Sequence, residues 1–149
     1  MEEKGRKGKI VAVQLCPGHR KAMLPVEYAE AVEKTGLKGD VHALPDSSRQ
    51  LLLIERETLD HFDLEPGQVK ENITTAGIAL MSLPRGCRLH IGTDVVMEIT
   101  KTCSPCSRMD EIRPGLRLKL AGKRGMLARV ISGGIIRRGD SIEARLQES

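Results

Sequence analysis

Aromatic side chains are almost missing from this sequence: it has no tryptophan, and Tyr28 and Phe62 are its only tyrosine and phenylalanine. Single-stranded nucleic acid is held by stacking bases on aromatic platforms, so that class of partner is not expected. No recognition helix with its flanking turn stands out either, and nucleic acid in general is not an expected partner. Also missing is any run of roughly 18 apolar residues, the length a membrane helix needs. The start of the chain, Met1 to Lys9, is charged and lacks an apolar signal region. Secretion is therefore not expected, and the cytoplasm is the expected compartment. Cysteine is scarce, at four residues. In a reducing compartment such thiols bind metal or react rather than form structural disulfides.

Repeats, low-complexity segments and Pro/Ser-rich linkers are absent as well. At 149 residues and 40% hydrophobic, the chain reads as one globular domain with a real core. The expected domain covers 8–146, behind a charged tail at 1–7. No Walker or Rossmann glycine pattern is present.

What is there is a succession of short β-branched runs. Lys9–Leu15 reads as a strand ending at Cys16-Pro-Gly-His19, and Leu24–Glu33 as a poorly alternating second one. Gln50–Ile54 reads as a buried strand and Glu71–Thr75 as a short one closed by Gly77. Between them Glu55–Leu64 has helical spacing and stops before Pro66-Gly67. Arg88–Ile91 and Asp94–Thr100 flank Gly92-Thr93, a hairpin signal. Leu116–Leu120 is ambiguous. Gly125–Ile131 and Asp140–Leu146 read as strands separated by Gly133-Gly134 and Arg138-Gly139. Many short strands, 15 glycines and one clear helix predict a mainly β single-domain barrel or sandwich.

Charge is uneven. Residues 1–75 carry 11 Lys/Arg against 13 Asp/Glu, and residues 76–149 carry 13 against 7, within a total of +4. The basic half holds Cys103-Ser-Pro-Cys106, two thiols at the break of a predicted strand. A cationic neighbourhood (Lys101, Arg108, Arg113, Arg117, Lys119, Lys123, Arg124) lowers a thiol pKa and attracts anions. Most of those cations also fit an ordinary solvated surface.

Two thiols at this spacing suit half a zinc site, a dithiol/disulfide couple, or a reactive thiolate with a companion. A closed zinc site wants a second pair. Only Cys16 and His19, also three apart, offer one, and that requires the first strand's end to meet the CxxC. Nucleophilic catalysis of the Cys–His type needs a base in reach. Of His19, His42, His61 and His90, His42 is the best placed to line a site, because it follows Gly39-Asp40 in a loop. In Gly36-Leu-Lys-Gly-Asp40, glycines permit positive φ, and backbone N–H groups with Lys38 suit an anion.

In order along the chain stand Gly36-Leu-Lys-Gly-Asp40-Val-His42, Arg49-Gln50, Glu71-Asn72-Ile73-Thr74 with Gly77, Gly86, Gly92, Pro105-Cys106, Ala128–Ile135 and Gly139-Asp140. That ordered set resembles the MOSC domain, the module named for the C-terminal part of molybdenum cofactor sulfurase and also found as small free-standing bacterial proteins. The resemblance covers roughly residues 8–146.

The resemblance implies a β-barrel that binds molybdenum cofactor or handles its sulfur. The family cysteine falls on Cys106. In the sulfurase-like view Cys106 accepts a sulfane sulfur as a persulfide and passes it to the cofactor or another acceptor. In the amidoxime-reducing branch the equivalent cysteine instead ligates molybdenum, and the protein reduces N-hydroxylated compounds. A third reading is a molybdopterin-binding module without chemistry, whose binding would survive Cys106→Ser. Asn72 matches a family asparagine beside the cofactor. Arg49 matches an arginine suited to the pterin or its phosphate, and Gly39 and Asp40 match the family's Gly-Asp turn. Lys38 and Arg108 are further candidates for pterin or phosphate contacts. Cys103 is either a thiol that resolves the persulfide or a small residue packing the loop. No pyridoxal phosphate site is recognised, so the expected partner is a pyridoxal phosphate-dependent cysteine desulfurase, or a molybdopterin biosynthesis or acceptor protein.

Overall fold

The computed structural model describes residues 5–146; residues 1–4 of the expected tail lie outside the described residues. In chain order the strands are β1 (Lys7–Leu15), β2 (Leu24–Val26), β3 (Tyr28–Val32), β4 (Gly36–Leu37) and β5 (Leu51–Glu55). Helix α1 (Arg56–His61) follows, then β6 (Ile73–Ala76), a 3-10 turn at Leu80–Ser82, β7 (Arg88–Ile91) and β8 (Val95–Thr102). The chain ends with α2 (Met109–Ile112), α3 (Leu116–Lys119), β9 (Met126–Ser132), β10 (Gly134–Arg137) and β11 (Ser141–Arg145).

Seven strands close on themselves in the order β1-β11-β7-β8-β9-β5-β6-β1, and β2 extends the sheet from β1. Closure removes the edges that an open sheet would expose. Every pairing in the barrel is antiparallel except β5–β6, in which Leu53 faces Ile73 and Ile54 faces Thr74. That parallel pair is joined by a crossover that carries α1, as parallel strands require. A second sheet, β10-β3-β4, shares no ladder with the barrel but packs on it, its Ala29, Ala31, Leu37 and Ile136 joining the barrel's core.

The barrel interior follows from period-2 alternation. In β8, Val95, Met97 and Ile99 are buried while Val96, Glu98 and Thr100 are half-buried. They join Leu53, Ile73, Leu89, Ile91, Val130 and Ile142 in one core. Each such side chain contributes roughly 1.5–3 kcal/mol when fully buried. A satellite cluster of Ile54, Leu59, Leu64, Val69, Met109, Leu116 and Leu120 packs the three helices against the outside of β5. This cluster matters for function, because Met109 anchors the residues that follow Cys106.

The mainly β barrel with a few short helices is the fold that the sequence predicts. Three elements differ in detail. Leu24–Glu33 is not one strand but two, β2 in the barrel sheet and β3 in the second sheet, broken at Glu27. The Gly133–Gly139 segment is not a plain separator: β10 pairs with β3 through Ile135↔Glu30 and Ile136↔Ala29. Lys7, counted with the tail, is the first residue of β1 and faces Glu143.

Candidate functional site

Beyond β8 the chain leaves the barrel at Cys103, whose N–H donates to the Gly125 carbonyl at 2.9 Å. It turns through Ser104-Pro105, and the Met109 N–H returns to the Cys106 carbonyl at 3.0 Å as α2 begins. Cys106 is exposed and Cys103 half-buried. The two thiols thus stand on a loop held at one end by the β8–β9 ladder and at the other by buried Met109.

Both line a cavity of about 240 Å³, and a third cysteine, Cys16, lines it too. Its other walls include His19, Arg20, Lys21, His42, Arg49, Lys70, Asn72, Arg108 and Arg124. Six of the lining residues are thus Lys or Arg, and among the described residues no carboxylate joins them. The field inside favours an anion. Arg20 is partly offset by Glu111 at 3.9 Å, and Lys70 Nζ donates to the Lys21 carbonyl at 3.0 Å.

Asp40 stands behind the part of the wall that Cys16, His42 and Asn72 form. Its carboxylate is buried and accepts three donors through Oδ1 and Oδ2: the Cys16 N–H at 2.6 Å, the Asn72 Nδ2 at 2.8 Å and the His42 N–H at 2.9 Å. The His42 ring approaches as well, with Nδ1 3.4 Å from Oδ2. Burial pushes the Asp40 carboxyl up, but the hydrogen bonds from His42, Cys16 and Asn72 outweigh it and hold it below the usual value. Asn72 also donates to the Gln14 carbonyl at 3.2 Å and accepts the Leu52 N–H at 3.0 Å. Its amide therefore bridges β1, β5 and the Asp40 turn while presenting a face to the cavity.

Of the residues singled out from sequence, Cys103, Cys106, Arg49, Asn72 and Arg108 come together around the cavity. Asp40 stands directly behind its wall. Lys38 and Gly39 are not among the lining residues: Lys38 Nζ lies 3.9 Å from Glu30 across the second sheet. Gly39 adopts φ +89° to make the turn that delivers Asp40. His42 does line the site, as its loop position suggests, and meets His19 edge to face at 6.2 Å.

The Cys16–His19 turn does meet the CxxC loop at this cavity, the convergence a zinc site would require. Yet among the described residues no group of three or more His, Cys, Asp or Glu is arranged to hold a metal ion. Cys16 instead donates its thiol to the Gly18 carbonyl at 3.4 Å. Cys87 lies in the barrel core, where burial pushes its thiol pKa up.

In the sequence Arg124 stands as one cation among many in the basic half. It is only 5% exposed, and among the described residues its Nε and Nη1 find no hydrogen-bond partner. Burial lowers its basicity; the charges of Cys103, Glu71 and Cys106 act in the opposite direction. The available signal was its place directly before a glycine that opens a buried strand, where a solvated arginine has little room.

The comparisons with known proteins agree with this architecture. A family model described as MOSC domain matches residues 36–143. Among solved structures, the YuaD protein from Bacillus subtilis superposes with a TM-score of 0.81 at 18% identity, covering 95% of this chain and 97% of that one. YiiM from Geobacillus stearothermophilus superposes at 0.75 and 18% identity, covering 93% and 75%. YiiM from Escherichia coli gives 0.69 at 18%, covering 95% and 71%. No curated protein matches. A match over residues 36–143, most of the chain and all of the cavity's Asp40, Asn72 and CxxC segments, makes this chain a member of the MOSC domain family.

Proposed function

We propose that this protein is a sulfur carrier in molybdenum cofactor chemistry, with Cys106 as the accepting thiol. Membership of the MOSC family supports a function connected with that cofactor. The observation that carries the finer reading is the exposure of Cys106 on the rim of a cavity lined by six Lys and Arg side chains. Of the four thiols it is the exposed one, within reach of a protein donor, and the cations around it attract an anionic ligand or acceptor.

In the accepting step the Cys106 thiolate attacks the terminal sulfur of a donor persulfide. The donor's S–S bond breaks, the donor leaves as a thiolate, and Cys106 carries the sulfane sulfur with no net oxidation or reduction. A cysteine desulfurase is the class of donor this reading requires. An acceptor nucleophile then takes the terminal sulfur and frees the Cys106 thiolate. With molybdenum cofactor as acceptor, Arg49 and Arg108, which line the cavity, are suited to its phosphate. Asn72 shapes the wall beside it.

The experiment is incubation with a cysteine desulfurase and sulfur-labelled cysteine. The wild-type protein gains one label per chain, and Cys106→Ser gains none. Undiminished labelling of Cys106→Ser overturns the reading.

The same cavity supports a second reading. A resident molybdenum cofactor would supply a redox-active metal, with Cys106 as a protein ligand and N-hydroxylated compounds as substrates. Copurification of molybdenum with a fluorescent pterin, lost in Cys106→Ser, supports that reading; a cofactor-free protein that carries sulfur favours the first.

A further inference from the structure

A buried guanidinium is costly unless an acceptor or counter-charge answers it. Arg124 has two sealed nitrogens without a hydrogen-bond partner among the described residues. The carboxylate whose charge it feels is Glu71, but Glu71 Oε2 already accepts the Gly67 N–H at 2.8 Å and the Thr74 hydroxyl at 2.7 Å. Burial also pushes the Glu71 carboxyl towards its neutral form. Glu71 therefore has donors of its own to satisfy besides the arginine.

Strand geometry supplies another candidate. The β8–β9 ladder ends with Thr102 opposite Met126. One step further the Cys103 N–H donates to Gly125 at 2.9 Å, so Cys103 and Ser104 run alongside Gly125 and Arg124. The chain packs closely against β5 at Gly125, where a Cβ would sit 2.3 Å from the Leu53 carbonyl oxygen. The Cys103 backbone is thus held against Gly125, one residue from Arg124, and Cys103, Arg124 and Cys106 all line the cavity.

We propose that Arg124 is a positioning residue that takes the Cys103 sulfur as its anionic partner, making Cys103 the resolving thiol for a persulfide on Cys106. This rests on Cys106 being the thiol that accepts sulfur. The Cys103 thiolate attacks Cys106 Sγ and a Cys103–Cys106 disulfide forms. The bond between Cys106 Sγ and the terminal sulfur breaks, and that sulfur leaves with its proton and the electron pair as hydrosulfide. The two thiols are oxidised by two electrons and the sulfane sulfur is reduced by two. A small dithiol such as dithiothreitol returns the disulfide to thiols for another cycle.

The test compares two alkylating agents of similar size, anionic iodoacetate and neutral iodoacetamide, with rates resolved at each cysteine by peptide mass spectrometry. In the wild-type protein the iodoacetate-to-iodoacetamide rate ratio at Cys103 exceeds that of free cysteine. In Arg124→Gln it falls by about tenfold, the factor worth one close charge interaction, and Arg124→Lys restores most of it. A wild-type ratio no higher than that of free cysteine overturns the proposal without any variant having to fold. An unchanged ratio in a folded Arg124→Gln also overturns it. In a second arm the protein is loaded with cysteine persulfide and hydrosulfide release is followed. Arg124→Gln slows release by about tenfold, and equal rates contradict the proposal. Failure of Cys106 to take up sulfur at all would defeat the carrier reading, while the alkylation arm still judges Arg124.

Discussion

The Asn72 side-chain amide donates to Asp40 Oδ1 at 2.8 Å, joining residues 32 positions apart into one buried strut behind the thiol cavity. The same carboxylate takes the backbone N–H groups of Cys16 and His42. Three segments distant in sequence thereby share one acceptor, and the cavity wall depends on its charge.

Asp40→Asn replaces one acceptor oxygen by a donor and sets it against neighbouring N–H groups. The expected cost is about 2–4 kcal/mol at pH 7, measured by urea unfolding. The pH dependence follows from the depressed pKa. Asp40 contributes stability above its ordinary value of 3.8 and loses it as pH falls through the lower folded value. The gap between wild type and Asp40→Asn therefore narrows below about pH 3.8. A gap that is constant with pH refutes the role given to this carboxylate.

Arg49 and Arg108 lie at the surface of the site, and their contribution is to binding. Arg49→Ala and Arg108→Ala each leave stability within about 0.5 kcal/mol. Each weakens protection of Cys106 from iodoacetate by inorganic phosphate, and the protection itself falls as salt is raised. Unaltered protection in both variants removes these residues from anion binding.

Gly125→Ala places a methyl group 2.3 Å from the Leu53 carbonyl oxygen at φ +127°. The β5–β9 pairing must open there, and destabilisation of more than about 2 kcal/mol is expected in thermal or urea melts. A variant as stable as wild type contradicts the close packing of Gly125 against β5.

Cys87 sits in the barrel core with its thiol pKa raised by burial. Cys87→Ser leaves sulfur loading unchanged while lowering stability by about 1–3 kcal/mol, because a hydroxyl replaces a packed sulfur. Loss of loading in a folded Cys87→Ser relocates the chemistry.

The barrel was legible where alternation is local. Lys9–Leu15, Gln50–Ile54 and Arg88–Thr100 fall on β1, β5 and the β7–β8 hairpin because each is a local apolar run, continuous and buried in β5 and alternating in the hairpin. β10 was hidden because Gly133 and Gly134 read as punctuation, whereas Gly134 at φ +152° packs against Asp94 and starts a paired strand. α2 and α3 are four residues each, too short for a helical period to register. At the site, Cys103 and Cys106 announce themselves by spacing. The arrival of Cys16, Lys70 and Arg124 does not, because it depends on barrel closure between segments more than 50 residues apart in several cases. Lys38 shows the converse: a glycine-bracketed lysine suited to an anion, spent instead on Glu30.

The most direct measurement is peptide-resolved, persulfide-sensitive mass spectrometry of the wild-type protein after incubation with a cysteine desulfurase and cysteine. The account predicts one added sulfur on the peptide containing Cys106, with Cys16 and Cys87 unmodified. An unmodified Cys106 alongside sulfur on another thiol would contradict it.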